Sequence, residues 1–165
     1  MISPEVIRRY PFFAGLDNDE IITVAKLAEE WKVEAGTYIF HEDDQLEVFY
    51  LLLEGAVSIV IEVPDRDVKQ PLSEQLAGEI KTKDITVSTI GNGEVFGWPG
   101  LIPPHVANAS AKALTDCRVV AFDCEDLLET FEENPRFGYK LTLRAAQVMR
   151  ERLRDMRIES LAFSS

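Results

Sequence analysis

The apolar residues of this chain change period twice. Up to about residue 30 they recur at helical spacing. From Trp31 they alternate with period two through a series of short runs, and after Asp123 the helical spacing returns. Such a chain has to enclose a block of strands between helices.

The local signals agree with that order. Ser3-Pro4-Glu5 reads as a helix start: a cap, a proline at the first helical position and an acid near the positive end of the dipole. Asp17 and Glu20 make a capping-box-like pair for a second helix. Leu16 can staple onto Ile21, and Ile21, Val24, Ala25, Leu27 and Ala28 supply an apolar stripe. "WKVEAGTYIF" then reads as strand, turn at Ala35-Gly36, strand. "VFYLLLEGAVSIVIEV" reads as a hairpin turning at Glu54-Gly55, with Val57, Ile59, Ile61 and Val63 on one face. A polar excursion from Pro64 to Asp84 reads as a mobile loop with room for one helical turn. "ITVSTI" and "CRVVAF" are further strands. Asp123 caps a short helix, and Asn134-Pro135 opens a long one running to about Ser160.

The fold class is therefore mainly β with flanking helices. Two N-terminal helices occupy residues 3–30, an antiparallel jelly-roll-like β-roll occupies 31–122, and C-terminal helices occupy 124–160. All of 1–165 forms one domain.

Charge narrows the function. The net charge of −12 repels nucleic acid and anionic lipid, so neither is expected as a partner. The basic cluster Arg144, Arg150, Arg152, Arg154 and Arg157 interleaves with Glu151, Asp155 and Glu159, and reads as a solvated helix face. No apolar run approaches the ~20 residues of a membrane span, and "MISPEVIRRYPFF" is no secretory signal. Cys117 and Cys124 read as buried, reduced thiols, consistent with a cytoplasmic protein. On the long helix, Ala146, Met149, Leu153 and Met156 fall at a and d spacing, with Ser160 in register. That stripe either packs on its own β-roll or forms a homodimer seam; the dimer is the favoured reading. An enzyme is not expected. His41 and His105 are the only histidines, no set of metal ligands converges, and no nucleophile turn or phosphate loop is present.

The stretch "GNGEVFGWPGLIPPHVANASAKAL", Gly91 to Leu114, has the glycine turn of an anion cradle. Yet from Val95 to Ser110 it contains no Lys or Arg. The strands "KVEAGTYIFHEDD" and "VFYLLLEGAVSI", the turn "GEVFGW" and the segment "ASAKALTDCRVVAFD", in this order and between helices, resemble the cyclic nucleotide-binding domain. The resemblance is to its bacterial Crp/Fnr-like branch, and it spans nearly the whole chain. It implies a ligand cassette in which Gly-Glu leads into a short helix whose amides face a phosphate. By carry-over Gly93 allows close approach, Glu94 accepts from a ribose hydroxyl, and Val95, Phe96, Gly97 and Trp98 form the short helix. The same resemblance implies an arginine on the following strand, gripping the phosphate with two hydrogen bonds. Here Ala107 stands in the arginine slot and Asn108 beside it. Of the substitute cations, Lys112 lies about 16 Å further along and on the opposite strand face, and His105 shares the parity of Ala107 but reads first as a loop histidine. Trp98 either stacks on a flat ligand or packs the cassette.

The resemblance thus implies a regulatory sensor domain with a degenerate cassette, in which cAMP or cGMP, or another small ligand, binds weakly or not at all. The sequence commits to none of these ligands. The other reading is a dimerisation or docking scaffold for an unnamed partner protein. The branch often adds a helix-turn-helix domain after the long helix, and this chain reads as the stand-alone form.

Overall fold

The computed structural model describes residues 1–64 and 82–164. Apart from its ends, the excursion expected as a mobile loop from Pro64 to Asp84 lies outside these residues.

Helix α1 (Pro4–Arg8) is capped by Ser3, which accepts from the Glu5 amide. Helix α2 (Asn18–Leu27) starts with the full capping box: the Asp17 carboxylate accepts from the Glu20 amide at 2.9 Å, and Glu20 accepts from the Asp17 amide at 2.9 Å. The Glu20 amide holds the Asp17 carboxyl below its ordinary range. The helix is shorter than the sequence suggests. Its stripe stops at Leu27, and Ala28 already opens β1 (Ala28–Val33), paired with Phe122. The strand region thus begins three residues before Trp31 because pairing to a buried partner strand overrides helical spacing.

The remaining strands are β2 (Tyr38–Phe40), β3 (Val48–Glu54), β4 (Val57–Pro64), β5 (Thr82–Ile90), β6 (Val95–Phe96), β7 (Ser110–Ala113) and β8 (Cys117–Asp123). They form two four-stranded antiparallel sheets, in the orders β1-β8-β3-β6 and β2-β7-β4-β5. Gly55, at φ +111°, makes the tight β3–β4 turn; a Cβ there would lie 2.7 Å from the Asp116 carbonyl oxygen.

The first sheet is covered on both faces. Phe49, Leu51, Val120 and Phe122 pack with Ile7, Phe13 and Val24 of the N-terminal segment and with Leu127, Phe137 and Leu141 of the C-terminal helices. Tyr50, Leu52, Val119 and Ala121 face the second sheet, against Val57, Ile90, Ala111 and Ala113. This explains the unbroken apolar run of β3: a strand covered on both sides has no polar face to show. In β4 the expected one-face alternation holds for Val57 and Ile59, which join that core, but Ser58 and Val60 are buried as well.

Asp123 caps α3 (Cys124–Glu133), accepting from the Asp126 amide at 3.0 Å. Asn134 accepts from the Phe137 amide at the start of α4 (Pro135–Ser164). Helix α4 turns Phe137, Leu141, Ala145, Val148 and Arg152 toward the rest of the fold, at successive intervals of three or four. The a and d stripe does not pack on the roll: Ala146, Leu153 and Ser160 are exposed, Met149 is half-buried, and Met156 lies at the rim of the fold. The Lys140 ammonium donates to Glu20 at 2.6 Å, tying α4 to the capping box of α2.

Glu20 is 5 % exposed and serves both contacts. Glu20→Ala should therefore cost about 1.5–3 kcal/mol, the range for hydrogen bonds to a charged group, and lower the Tm by several degrees. Thermal unfolding by circular dichroism would measure it; an unchanged Tm would show that this tie does not hold α4.

Candidate functional site

The turn at Gly91–Glu94 is zipped onto β3. The Gly93 amide donates to Leu52 at 2.7 Å, the Leu52 amide donates back to the Glu94 carbonyl at 2.9 Å, and the Glu94 amide donates to Gly91 at 3.1 Å. Gly93 sits at φ +84°, where a side chain would be strained. Its amide is therefore spent on the fold.

The short helix lies later than the resemblance placed it. Val95 and Phe96 extend the first sheet as β6, opposite Leu51 and Tyr50. Phe96 is fully buried and stacks on Tyr50 with centroids 4.8 Å apart. A β-branched residue followed by an aromatic satisfies a covered edge strand better than a helical turn. Gly97, at φ +80°, then reverses the chain, and the helical turn is a 3-10 element at Trp98–Leu101. The pair leading into it is Gly97-Trp98, so a whole strand separates it from Gly93-Glu94. Pro99 removes one of its amide donors.

The residues singled out from the sequence fall into two cavities. Gly93, Glu94 and Val95 line one of ≈ 410 Å³, together with Ser88, Thr89 and the inner face of α4. Gly97, Trp98 and Asn108 line another of ≈ 90 Å³, with Ala109, Ile61 and Met156. Phe96 and Ala107 line neither. Ala107 is 2 % exposed, and its amide and carbonyl are bonded to the Asp44 carbonyl and the Asp43 amide at 2.8 and 2.9 Å. Neither substitute cation reaches these cavities. The His105 ring shares a hydrogen with the Gly100 carbonyl at 2.8 Å and faces a separate ≈ 490 Å³ cavity beside Glu47, Cys124 and Glu125. Lys112 stands on the outer face of the second sheet, 3.8 Å from Asp84 and over the Tyr38 ring.

Two guanidinium groups from the helix face assigned by sequence to solvent line the ≈ 410 Å³ cavity, Arg144 and Arg152; Arg144 is half-buried and donates to the Ala14 carbonyl at 3.1 Å. Arg152 is partly buried, lines both cavities, and donates through Nη2 to the Val95 carbonyl. Burial lowers its pKa, while Glu94, Asp155 and Glu151 act to raise it. Arg150, Arg154 and Arg157 are exposed, as expected of a solvated face. The signal that separates Arg152 from them is spacing: it lies four residues beyond Val148, on the core-facing stripe.

The back of the 3-10 turn is closely packed. A Cβ on Gly100 would lie 2.8 Å from Cys124 Sγ, and burial pushes that thiol up to about 12, with the Asp123 charge adding to it. Among the described residues, no group of three or more His, Cys, Asp or Glu is placed to hold a metal ion, and no helix is long and apolar enough to cross a membrane.

Residues 30–134 match the family described as the cyclic nucleotide-binding domain. The cyclic AMP receptor protein of Thermus thermophilus is 26 % identical over 153 residues, covering 93 % of this chain and 62 % of that protein. The CRP-like cAMP-activated global transcriptional regulator of Mycobacterium tuberculosis is 21 % identical, covering 91 % of this chain and 58 % of its own length. This chain thus spans less than two thirds of either regulator. Among solved structures, a cyclic nucleotide-binding protein of Geobacter metallireducens superposes with a TM-score of 0.75 at 31 % identity, covering 93 % of this chain and 99 % of that one. With two four-stranded sheets and flanking helices, the chain belongs to the cyclic nucleotide-binding domain family, with relatives among its bacterial Crp-like regulators.

Proposed function

We propose that this is a regulatory sensor domain whose cassette is degenerate, so that cAMP and cGMP bind weakly or not at all, with α4 as the output element. The observation that carries this reading is the place of Ala107: a buried methyl, ahead of β7, where the family's strand cation would stand, while Lys112, the basic residue of β7, stands on the outer face of the sheet. Losing one partner of a buried charged pair costs roughly 2–5 kcal/mol, which is about thirtyfold to several-thousandfold in affinity. The four-residue turn, with a proline at its second position, offers few amides in compensation. Glu94 could still accept from a sugar hydroxyl, but it stands in a different cavity from Trp98 and Asn108.

The output surface is the outer stripe of α4. Leu153 is 52 % exposed and Met156 42 % exposed, and the roll reaches this stripe only at its margin, where Met156 borders the ≈ 90 Å³ cavity and Met149 is half-buried. A second copy meeting it along the a and d positions would bury both residues. The net charge of −12 sets the domain against nucleic acid and anionic membranes, and we place it in the cytoplasm.

A second reading keeps the dimer and drops the ligand: a dimerisation or protein-docking scaffold. In its favour, the cavity at Trp98 measures ≈ 90 Å³, well below the roughly 300–1,000 Å³ of small-molecule sites.

Calorimetry with cAMP and with cGMP should give a Kd in the millimolar range or weaker for each; low-micromolar binding of either would refute the degenerate cassette. Sedimentation at micromolar concentration should show a dimer for the natural chain and a monomer for Leu153→Glu. A monomeric natural chain would remove α4 as the seam.

A further inference from the structure

Two residues line both the cavity at Glu94 and the cavity at Trp98: Ser88 on β5 and Arg152 on α4. Ser88 is short and part of the roll. Arg152 is long and belongs to a helix. We propose that Arg152 is a built-in occupant of the cassette: its guanidinium is the partition that divides one ligand pocket into two, and a nucleotide-sized ligand enters only when α4 withdraws it. This rests on reading the Gly93–Asn108 segment as a cyclic nucleotide cassette.

The bonding of Arg152 supports a role as occupant. A guanidinium that serves to fasten a helix usually takes a carboxylate with two parallel hydrogen bonds. Arg152 makes its hydrogen bond to one backbone carbonyl, that of Val95. Among the described residues no carboxylate comes within ion-pair distance, although Glu94, Glu151 and Asp155 line the same cavity. Val95 belongs to β6, the strand that separates the Gly-Glu turn from the Gly97-Trp98 turn. The guanidinium is thus clasped to the wall that a ligand would have to span.

Charge and volume agree. The three carboxylates attract the tethered cations Arg144 and Arg152 and outnumber them, which opposes an incoming anion. The ≈ 90 Å³ space is too small for a nucleotide, and the ≈ 410 Å³ space lacks Trp98 and Asn108. Withdrawing one side chain joins them. The exposure of α4 beyond this point agrees too. Beyond Arg152 the side chains from Leu153 to Ile158 are exposed, although Asp155 and Met156 still border the two cavities, so Arg152 is the last partly buried anchor of α4 among the described residues. Pocket occupancy and the position of that stripe are therefore alternatives set by one residue.

The test is calorimetry of the 165-residue chain with cAMP. Arg152→Met keeps the apolar stem beside Trp98 and removes the fork; Arg152→Gln is the second variant, should Met disturb folding as judged by circular dichroism. Either should bind cAMP about tenfold to a hundredfold tighter than the natural chain, the worth of one charge-assisted hydrogen bond. Arg150→Gln, on the exposed face, should bind as the natural chain does. Equal or weaker binding by the Arg152 variants, or an equal gain in Arg150→Gln, overturns the proposal. Where the natural chain and the Arg152 variants both lie below detection, the comparison moves to Ala107→Arg, which restores the strand cation. If Ala107→Arg binds and adding Arg152→Met changes nothing, the partition is wrong and the cassette stands. If adding it tightens binding, the partition holds. If the double variant does not bind, the cassette reading falls and takes the partition with it.

Discussion

The state of the site depends on the register of α4 against the roll. Phe137, Leu141, Ala145, Val148 and Arg152 form one stripe, and the apolar members fill the groove between the first sheet and the N-terminal helices. The start of the stripe is held by the Lys140–Glu20 contact, and Glu20 is itself held by the capping box of α2. A rotation of one residue, about 100° on a helix, would carry Arg152 out of the cassette and turn Leu153 toward it. The inner stripe therefore determines which side chain reaches the ligand's place and which stands on the opposite face.

The two ends of this arrangement differ in kind. At Phe137 and Leu141 the contact is apolar, close-packed and extensive, and such packing tolerates little displacement. At Arg152 it is one hydrogen bond from a partly buried cation to a backbone carbonyl, in a surround of carboxylates. Burying that charge costs free energy, which the carboxylates and the carbonyl offset. An anchor of opposing electrostatic contributions is easier to release than a packed one. In the proposed arrangement the helix is fixed where it leaves α3 and conditional where it crosses the cassette.

Most of the architecture was legible in the sequence because it follows from periodicity and caps. The strand runs, the turns at Gly36 and Gly55, the Asp17–Glu20 box and the Asn134-Pro135 start all rest on local chemistry. The errors share one origin, which is tertiary pairing. Ala28 left its helix for β8, and Val95-Phe96 left the expected short helix for β3. In both cases a neighbouring strand offered a covered edge that the local pattern could not reveal. The site was less legible for the same reason. Gly93, Glu94, Gly97, Trp98 and Asn108 do line cavities, but they are shared out between two, and β6 lies between the two turns that carry them. Arg152 was hidden because its neighbours in sequence are exposed arginines; only its phase relative to Val148 distinguishes it.

That phase gives the missing strand cation a different meaning. An arginine at position 107, just ahead of β7, would be carried by the roll whatever the position of α4. With Ala107 in that slot, the guanidinium nearest the cassette is carried by the helix instead. A roll-borne cation favours occupancy. A helix-borne cation clasped to Val95 competes with occupancy, and makes the empty pocket and the docked helix one state. Weak affinity and a sensing role are then compatible: a ligand that displaces Arg152 loses affinity by the free energy of that clasp, and the same free energy couples the pocket to the outer stripe of α4.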